Sequence, residues 1–201
     1  TADNNTAVGY EALGANTTAA NNTAVGSGAL TTNTTGIENV AVGHETLDAN
    51  TTGDENTALG QSALTSNTTG DGNVGVGQDA LFTSSTASNN TAVGTNALYY
   101  NTGENNVAVG AYAMDANTTG TQNTSVGAYS LDANTTGSYN TALGYNSLTA
   151  NTTGERNTAV GQASVQSNTT GNYNTGLGQN ALGANTTGSN NIAIGYKALE
   201  A

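Results

Sequence analysis

One phrase returns through the whole chain at a fixed interval. Taking the Asn before each "TAVG"-like phrase as position 1, it stands at Asn5, Asn22, Asn39, Asn56, Asn73, Asn90, Asn106, Asn123, Asn140, Asn157, Asn174 and Asn191. The interval is 17 residues throughout, except that Asn90 to Asn106 is 16 because "YYNTGENN" has one Thr fewer. A short repeat of constant length points to a stack of like supersecondary units, none of which buries a core alone.

Superposing the copies separates fixed from free positions. Position 5 is always Gly, from Gly9 to Gly195, and position 4 is always Val, Leu or Ile. Position 9 is Leu except at Met114 and Val165, position 2 is Thr, Val or Ile, and positions 3 and 8 are small. Positions 6, 7, 10, 16 and 17 vary and are mostly polar, which reads as solvent-facing. Side chains alternate faces along a strand, so positions 2 and 4 share a face and position 3 lies opposite. The β-branched pairs of "NVAVG" (39–43) and "NIAIG" (191–195) then read as a short strand with positions 2 and 4 inward. Gly at position 5 permits a bend, and "AL" at positions 8 and 9 starts a second inward segment. "NTTG" closes it, with its Gly free to take positive φ at the corner. Two short strands and two corners suit one coil of an all-β parallel β-solenoid (β-roll) of about twelve 17-residue coils. At about 4.8 Å per coil the rod is roughly 55–60 Å long. The recurring Gly and β-branched residues, with no 3.6-residue apolar pattern, argue against helical repeats.

Composition narrows the function. Charged residues are 8% of the chain and the formal net charge is −12, with Arg156 and Lys197 the only basic residues besides His44. That excludes a phosphate-binding surface and hence nucleic acid. No apolar run reaches membrane-spanning length, so the chain is not expected to be membrane-embedded. Cys is absent, which rules out disulfides and thiolate metal sites. The strict apolar rhythm distinguishes the chain from a disordered one. Each coil offers only about three aliphatic side chains, worth roughly 1.5–3 kcal/mol each when fully buried. Backbone ordering costs about 1–2 kcal/mol per residue. Ladder hydrogen bonds, Asn stacking and burial against other chains must supply the rest.

At "NTAVGYEAL" (5–13), "NVAVGHETL" (39–47) and "NIAIGYKAL" (191–199) the chain resembles the head repeats of trimeric autotransporter adhesins, the YadA-like heads, and related tail-fibre and surface-fibre repeats. The resemblance runs the length of the chain. It implies a left-handed parallel β-roll, assembly of three chains and a place outside the cell, on the cell surface or in a virion fibre. The 17-residue period with its NTTG insert is longer than the typical adhesin coil, and no neck, stalk or anchor pattern is present.

No catalytic constellation is visible, and no cofactor or metal is called for. His44 stands alone at a free position, so no nucleophile has a base within reach. Asp115 and Asp132 share position 10 of adjacent coils, and Asp54, Glu55 and Asp71 cluster at positions 16 and 17. Both groups read as solvated surface charge rather than a calcium site. The position-12 residues Asn16, Asn33, Asn50, Asn67, Asn117, Asn134, Asn151, Asn168 and Asn185 stand in "NTT". With position 1 they read first as amide ladders along the rod. Each is also an N-x-[ST] sequon and thus a candidate glycosylation site, as are Asn4, Asn21, Asn89 and Asn123. Tyr10, Tyr99, Tyr112, Tyr129, Tyr145 and Tyr196 are the candidate surface contacts for carbohydrate or protein. An ice-binding Thr face is disfavoured, because the adjacent Thr of NTT point oppositely and position 2 is read as inward.

The expectation is a non-enzymatic extracellular fibre or adhesin segment, self-associating as a trimer or end-to-end filament. Glycans or host-surface ligands are the candidate outside partners. The alternative is an ice-binding or carbohydrate-binding solenoid module of a larger surface protein. Residues 1–201 form a single repeat array, read as a window of a longer fibre, with irregular coils at 73–105 where a bend or special contact would sit.

Overall fold

The computed structural model describes residues 2–200. Twelve three-residue strands, from Thr6–Val8 to Ile192–Ile194, lie parallel in one sheet in strict sequence order. Position 2 pairs with position 2 and position 4 with position 4 from coil to coil, as in Thr6 with Thr23 and Val8 with Val25. The register survives the 16-residue coil, where Thr91 pairs with Val107. The chain is an all-β parallel solenoid, with no helix among the described residues.

Only one strand forms per coil. The expected second strand at positions 8 and 9 is instead a succession of turns that point Ala and Leu inward. Its backbone is left-handed at positions 7 and 9, and Leu13, Leu30, Leu47 and their equivalents all sit at φ between 50 and 56°. Left-handed backbone costs an L-residue about 1–2 kcal/mol. Here it lets the amide of position 9 reach the position-8 carbonyl of the following coil, as Leu13 does with Ala29 at 3.0 Å. It also drives the side chain into the core.

The faces of the strand are the reverse of the expectation. Position 3 is fully buried in Ala24, Ala41, Ala58, Ala92 and Ser125, whereas positions 2 and 4 face outward. Val8 is 59% exposed and Leu143 46%. The cause is the thin cross-section. A Cβ built at Gly75, in position 3, would already lie 3.4 Å from Leu64 Cγ and 3.3 Å from the Ala80 carbonyl. Nothing larger than Ala or Ser fits there, so the β-branched residues stand outside.

Two columns of buried amides run through the remaining interior. In the coil 39–55, Asn39 (position 1) and Asn50 (position 12) both donate their Nδ2 to the Gly53 carbonyl, at 2.8 and 3.0 Å. Asn50 also donates to Asn33 Oδ1 of the coil before, at 2.9 Å, and Asn67 repeats the contact to Asn50. Asn39 Oδ1 accepts the backbone amide of Asn56 at 2.9 Å. The expected Asn ladders are therefore present, doubled and fully interior. The corner Gly is required for space rather than for positive φ. A Cβ on Gly53 would stand 2.5 Å from the Gly70 carbonyl and 2.6 Å from Asn50 Oδ1. Position-5 Gly needs both reasons: Gly110 has φ of 136°, and its Cβ would lie 2.6 Å from the Gly127 carbonyl.

Two coils carry Ala at position 15, and both leave buried polar atoms unpaired. Ser84 replaces the ladder Asn where Ala87 replaces Gly, so the added methyl does not meet an amide. The consequence is that Asn67 Oδ1 and Ser84 Oγ are buried without partners. At Ala19 the Asn is kept, and there Asn16 Oδ1 loses its partner. The 16-residue coil deletes its residue inside this corner, and Asn101 still reaches the Gly103 carbonyl at 2.7 Å.

Two outcomes check this packing by denaturant midpoint. Ala108→Val should destabilise by about 1–3 kcal/mol through overpacking, whereas Val107→Thr, which installs the residue found at position 2 in most coils, should stay within about 0.5 kcal/mol. Ser84→Asn with Ala87→Gly should restore the ladder and stabilise by about 1–2 kcal/mol. Ser84→Asn alone should gain less or lose, because the Ala87 methyl occupies the space its amide needs.

Candidate functional site

The most extensive feature open to a partner is the outer face of the sheet. Position 2 presents Thr or a β-branched aliphatic and position 4 Val, Leu or Ile, one pair per coil along the rod. Ile192 and Ile194 are 68 and 69% exposed. All fourteen acids fall at positions 7, 10, 16 and 17. The face of positions 2 and 4 thus carries no charge in any coil.

The sequon asparagines are interior groups. Asn33, Asn50, Asn67, Asn117, Asn134, Asn151 and Asn168 are fully buried, and Asn16 and Asn185 are half-buried. The nitrogen that would carry a sugar is in each case a donor inside the rod. Asn134 Nδ2 reaches Asn117 Oδ1 at 2.7 Å and the Gly137 carbonyl at 3.0 Å. Asn16 reaches the Ala19 carbonyl at 3.2 Å, and Asn185 reaches Asn168 Oδ1 and the Gly188 carbonyl, each at 3.0 Å. Asn123 is buried in the position-1 column, whereas Asn4, Asn21 and Asn89 are exposed at position 17. The adjoining Thr of position 13 is also committed: Thr51, Thr118 and Thr135 each donate their hydroxyl to the carbonyl of the same position one coil on, at 2.9–3.0 Å. Position 16, read as free, holds short acceptors instead. Asp71 Oδ1 takes the Asp54 amide at 2.8 Å and Ser88 Oγ takes the Asp71 amide at 3.0 Å.

The candidate tyrosines divide into groups. Tyr10 and Tyr196 are strongly exposed near the two ends and touch no other aromatic ring, though Lys197 Nζ lies 5.8 Å from the centre of the Tyr196 ring. Tyr112 stacks on Tyr129 with centroids 5.3 Å apart, and Tyr145 meets Tyr129 edge-on at 6.2 Å. Tyr99 stacks on Phe82 at 4.9 Å and meets Tyr100 edge-on at 4.6 Å. His44 is exposed, its Nδ1 3.7 Å from the Glu45 carboxylate. Among the described residues no three His, Asp or Glu are placed to hold a metal ion, and no helix is long and apolar enough to cross a membrane. A hollow bounded by Leu182, Asn185, Gly188, Asn191 and Leu199 lies over the last coil and is lined by the same ladder residues that pack inside the others.

Asp115 and Asp132 do adjoin. Burial raises both carboxyls above their ordinary range, and for Asp115 the neighbouring Asp132 charge adds to it. Asp115 Oδ1 is closed off and accepts no hydrogen bond.

No known protein family, curated protein or solved structure matches the chain.

Placing the β-branched residues inside, as their strand propensity suggests, hides the outward apolar face. The signal that finds it is the strict smallness of position 3, which a solvent-facing column has no reason to keep.

Raised carboxyl pKa values in the folded state mean that ionised Asp115 and Asp132 oppose folding. The penalty is full above the folded pKa and vanishes as pH falls below the ordinary Asp value. Asp115→Asn should therefore stabilise at pH 7, by less than about 1 kcal/mol at a half-exposed position. Thermal melts should show the gain fading as pH falls through the carboxylate range.

Proposed function

We propose that the chain is a non-enzymatic segment of an extracellular, cell-surface or virion fibre, in which rods associate side by side through the outer face of the sheet. The observation that carries this reading is that face: β-branched or aliphatic at position 4 in every coil, uncharged throughout, and long. Twelve strands at about 4.8 Å give a strip roughly 55 Å long. With the neighbouring position-6 column it is about 13 Å wide, or near 700 Å². That area, its position-6 column mostly polar, approaches the roughly 800 Å² per partner of a standard stable interface. Resemblance to the adhesin heads makes three the expected number of chains. Side-by-side packing is favoured over end-to-end stacking because the apolar surface runs along the rod. Glycans are not part of this reading at the ladder Asn; any would sit on Asn4, Asn21 or Asn89.

Sedimentation equilibrium of the full chain at micromolar concentration tests it. The expected result is an oligomer, with Val109→Asp plus Leu143→Asp giving a monomer of unchanged circular dichroism. A wild-type chain that stays monomeric rejects the reading.

One observation favours ice binding as a second reading. With position 2 outward, Thr6, Thr23, Thr57, Thr91, Thr124, Thr141, Thr158 and Thr175 stand partly or fully exposed beside the Val and Leu of position 4, in a column broken by Val40, Val74 and Val107. Methyls recur at about 4.8 Å along the rod, hydroxyls do so without a break from Thr124 to Thr175, and the two columns lie roughly 6.6 Å apart. Thermal hysteresis from the chain as a monomer would support this reading, and its absence would remove it.

A further inference from the structure

The aromatic residues are not spread evenly. Phe82, Tyr99, Tyr100, Tyr112 and Tyr129 fall in the four coils from 73 to 139, at positions 7, 10 and 11. Positions 7 and 10 are neighbours on the surface, since Thr149 in position 10 donates its hydroxyl to the Tyr129 carbonyl in position 7 of the coil before, at 3.0 Å. Column 10 reads Phe82, Tyr99, Asp115, Asp132 over four successive coils. Phe82 covers one face of Tyr99, with the rings 4° from parallel. Burial, then the Tyr100 ring and the carboxylates of Asp79 and Asp115, push the Tyr99 hydroxyl up, so both acids lie within its electrostatic reach. Tyr100 is half exposed beside it.

This patch has no cation. The first Lys or Arg in the chain is Arg156, and it is already engaged elsewhere. It lies over the Tyr139 ring at 4.8 Å and the Tyr173 ring at 5.5 Å, and bonds Glu155 at 3.2 Å and the Tyr173 hydroxyl at 3.3 Å. The position-17 column thus holds a guanidinium between aromatic rings with a carboxylate at its edge. Positions 7, 10 and 11 of coils 73–139 hold the same ingredients, rings and carboxylates one coil apart, with no guanidinium on them.

We propose that the surface formed by Tyr99, Tyr100, Tyr112, Tyr129, Asp115 and Asp132 binds arginine side chains of a basic polypeptide partner. A guanidinium stacks on the rings and bridges the two carboxylates, as a planar fork suits both. Arginine is favoured over lysine because an ammonium neither stacks flat nor forks. The surface uses columns 7, 10 and 11 and leaves the sheet face of columns 2 and 4 free, so it does not depend on self-association.

The test is fluorescence anisotropy of a labelled Arg-Gly-Arg-Gly-Arg peptide on the full chain at physiological salt, with the Lys-Gly-Lys-Gly-Lys peptide beside it. The arginine peptide should bind several-fold tighter. Tyr99→Leu with Tyr112→Leu, and separately Asp115→Asn with Asp132→Asn, should each weaken it about tenfold. Tyr99→Phe with Tyr112→Phe should retain binding. Asp54→Asn with Asp71→Asn removes the same charge at position 16 and should change affinity less than about twofold if attraction to net charge is not the cause. Equal loss in that control, equal binding of the lysine peptide, or no arginine binding each overturns the proposal. Should the Leu pair unfold, the two isosteric Asn pairs and the two peptides still decide it.

Discussion

The fold depends on a carboxamide that two neighbours in the chain share with the coils above and below. In each regular coil two Asn side chains converge on one Gly carbonyl, and the position-12 amide passes a second hydrogen bond to the coil before. Buried amides without partners would be costly, so every coil must present its Asn and its Gly in the same place. This explains why the repeat is strict at these positions while the surface drifts. A change at one end of the pair has to be met at the other. Both departures leave a cost: Ser84 with Ala87 leaves Asn67 Oδ1 and Ser84 Oγ closed off without partners, and Asn16 beside Ala19 leaves its own Oδ1 without a donor. The amides do with hydrogen bonds what one Leu and two small side chains buried per coil do not do with area alone.

The same economy sets the width of the rod. Leu at position 9 crosses the interior and meets the backbone of the strand opposite, so the strand faces inward with Ala, Ser or Gly. The larger apolar residues are forced outward. A solenoid built this way is finished inside and unfinished outside along one face. Sheets that are apolar on both faces are ordinarily covered on both. That is the physical ground for treating the outer columns as a surface made for another rod or an ordered solvent layer.

Much of this is legible in the sequence, and the parts that are not have a common cause. The 17-residue period, the parallel stacking, the Asn ladders and the need for Gly at position 5 follow from recurrence alone. Which face of "TAV" points inward does not follow from periodicity, because alternation fixes the pairing of positions 2 and 4 but not its sign. Size decides it, through the strict smallness of position 3. The left-handed Leu of position 9 is hidden for another reason: nothing in a Leu announces positive φ, and the tertiary network alone holds it there. The corner Gly invites a conformational explanation, and its constraint is space, against the carbonyl of the next coil's corner and, in most coils, the amide of the Asn three residues earlier. For the candidate sites, residue type pointed to Asn of the sequons and to Tyr; only coordinates separate amides spent inside the rod from rings left outside it.

Charge completes the division of the surface. A chain with net charge −12 should resist its own copies, and this repulsion acts wherever acids face one another within about 8–10 Å at physiological salt. Confining all fourteen acids to positions 7, 10, 16 and 17 leaves the sheet face as the approach of least repulsion between like rods. The acidic columns then work in the opposite sense toward a basic partner, drawing it to the turns where the rings lie. One coil can therefore vary its turn positions without disturbing either the amide interior or the sheet, which is how a rod of nearly identical units presents a local patch at coils 73–139 and none like it along the first four.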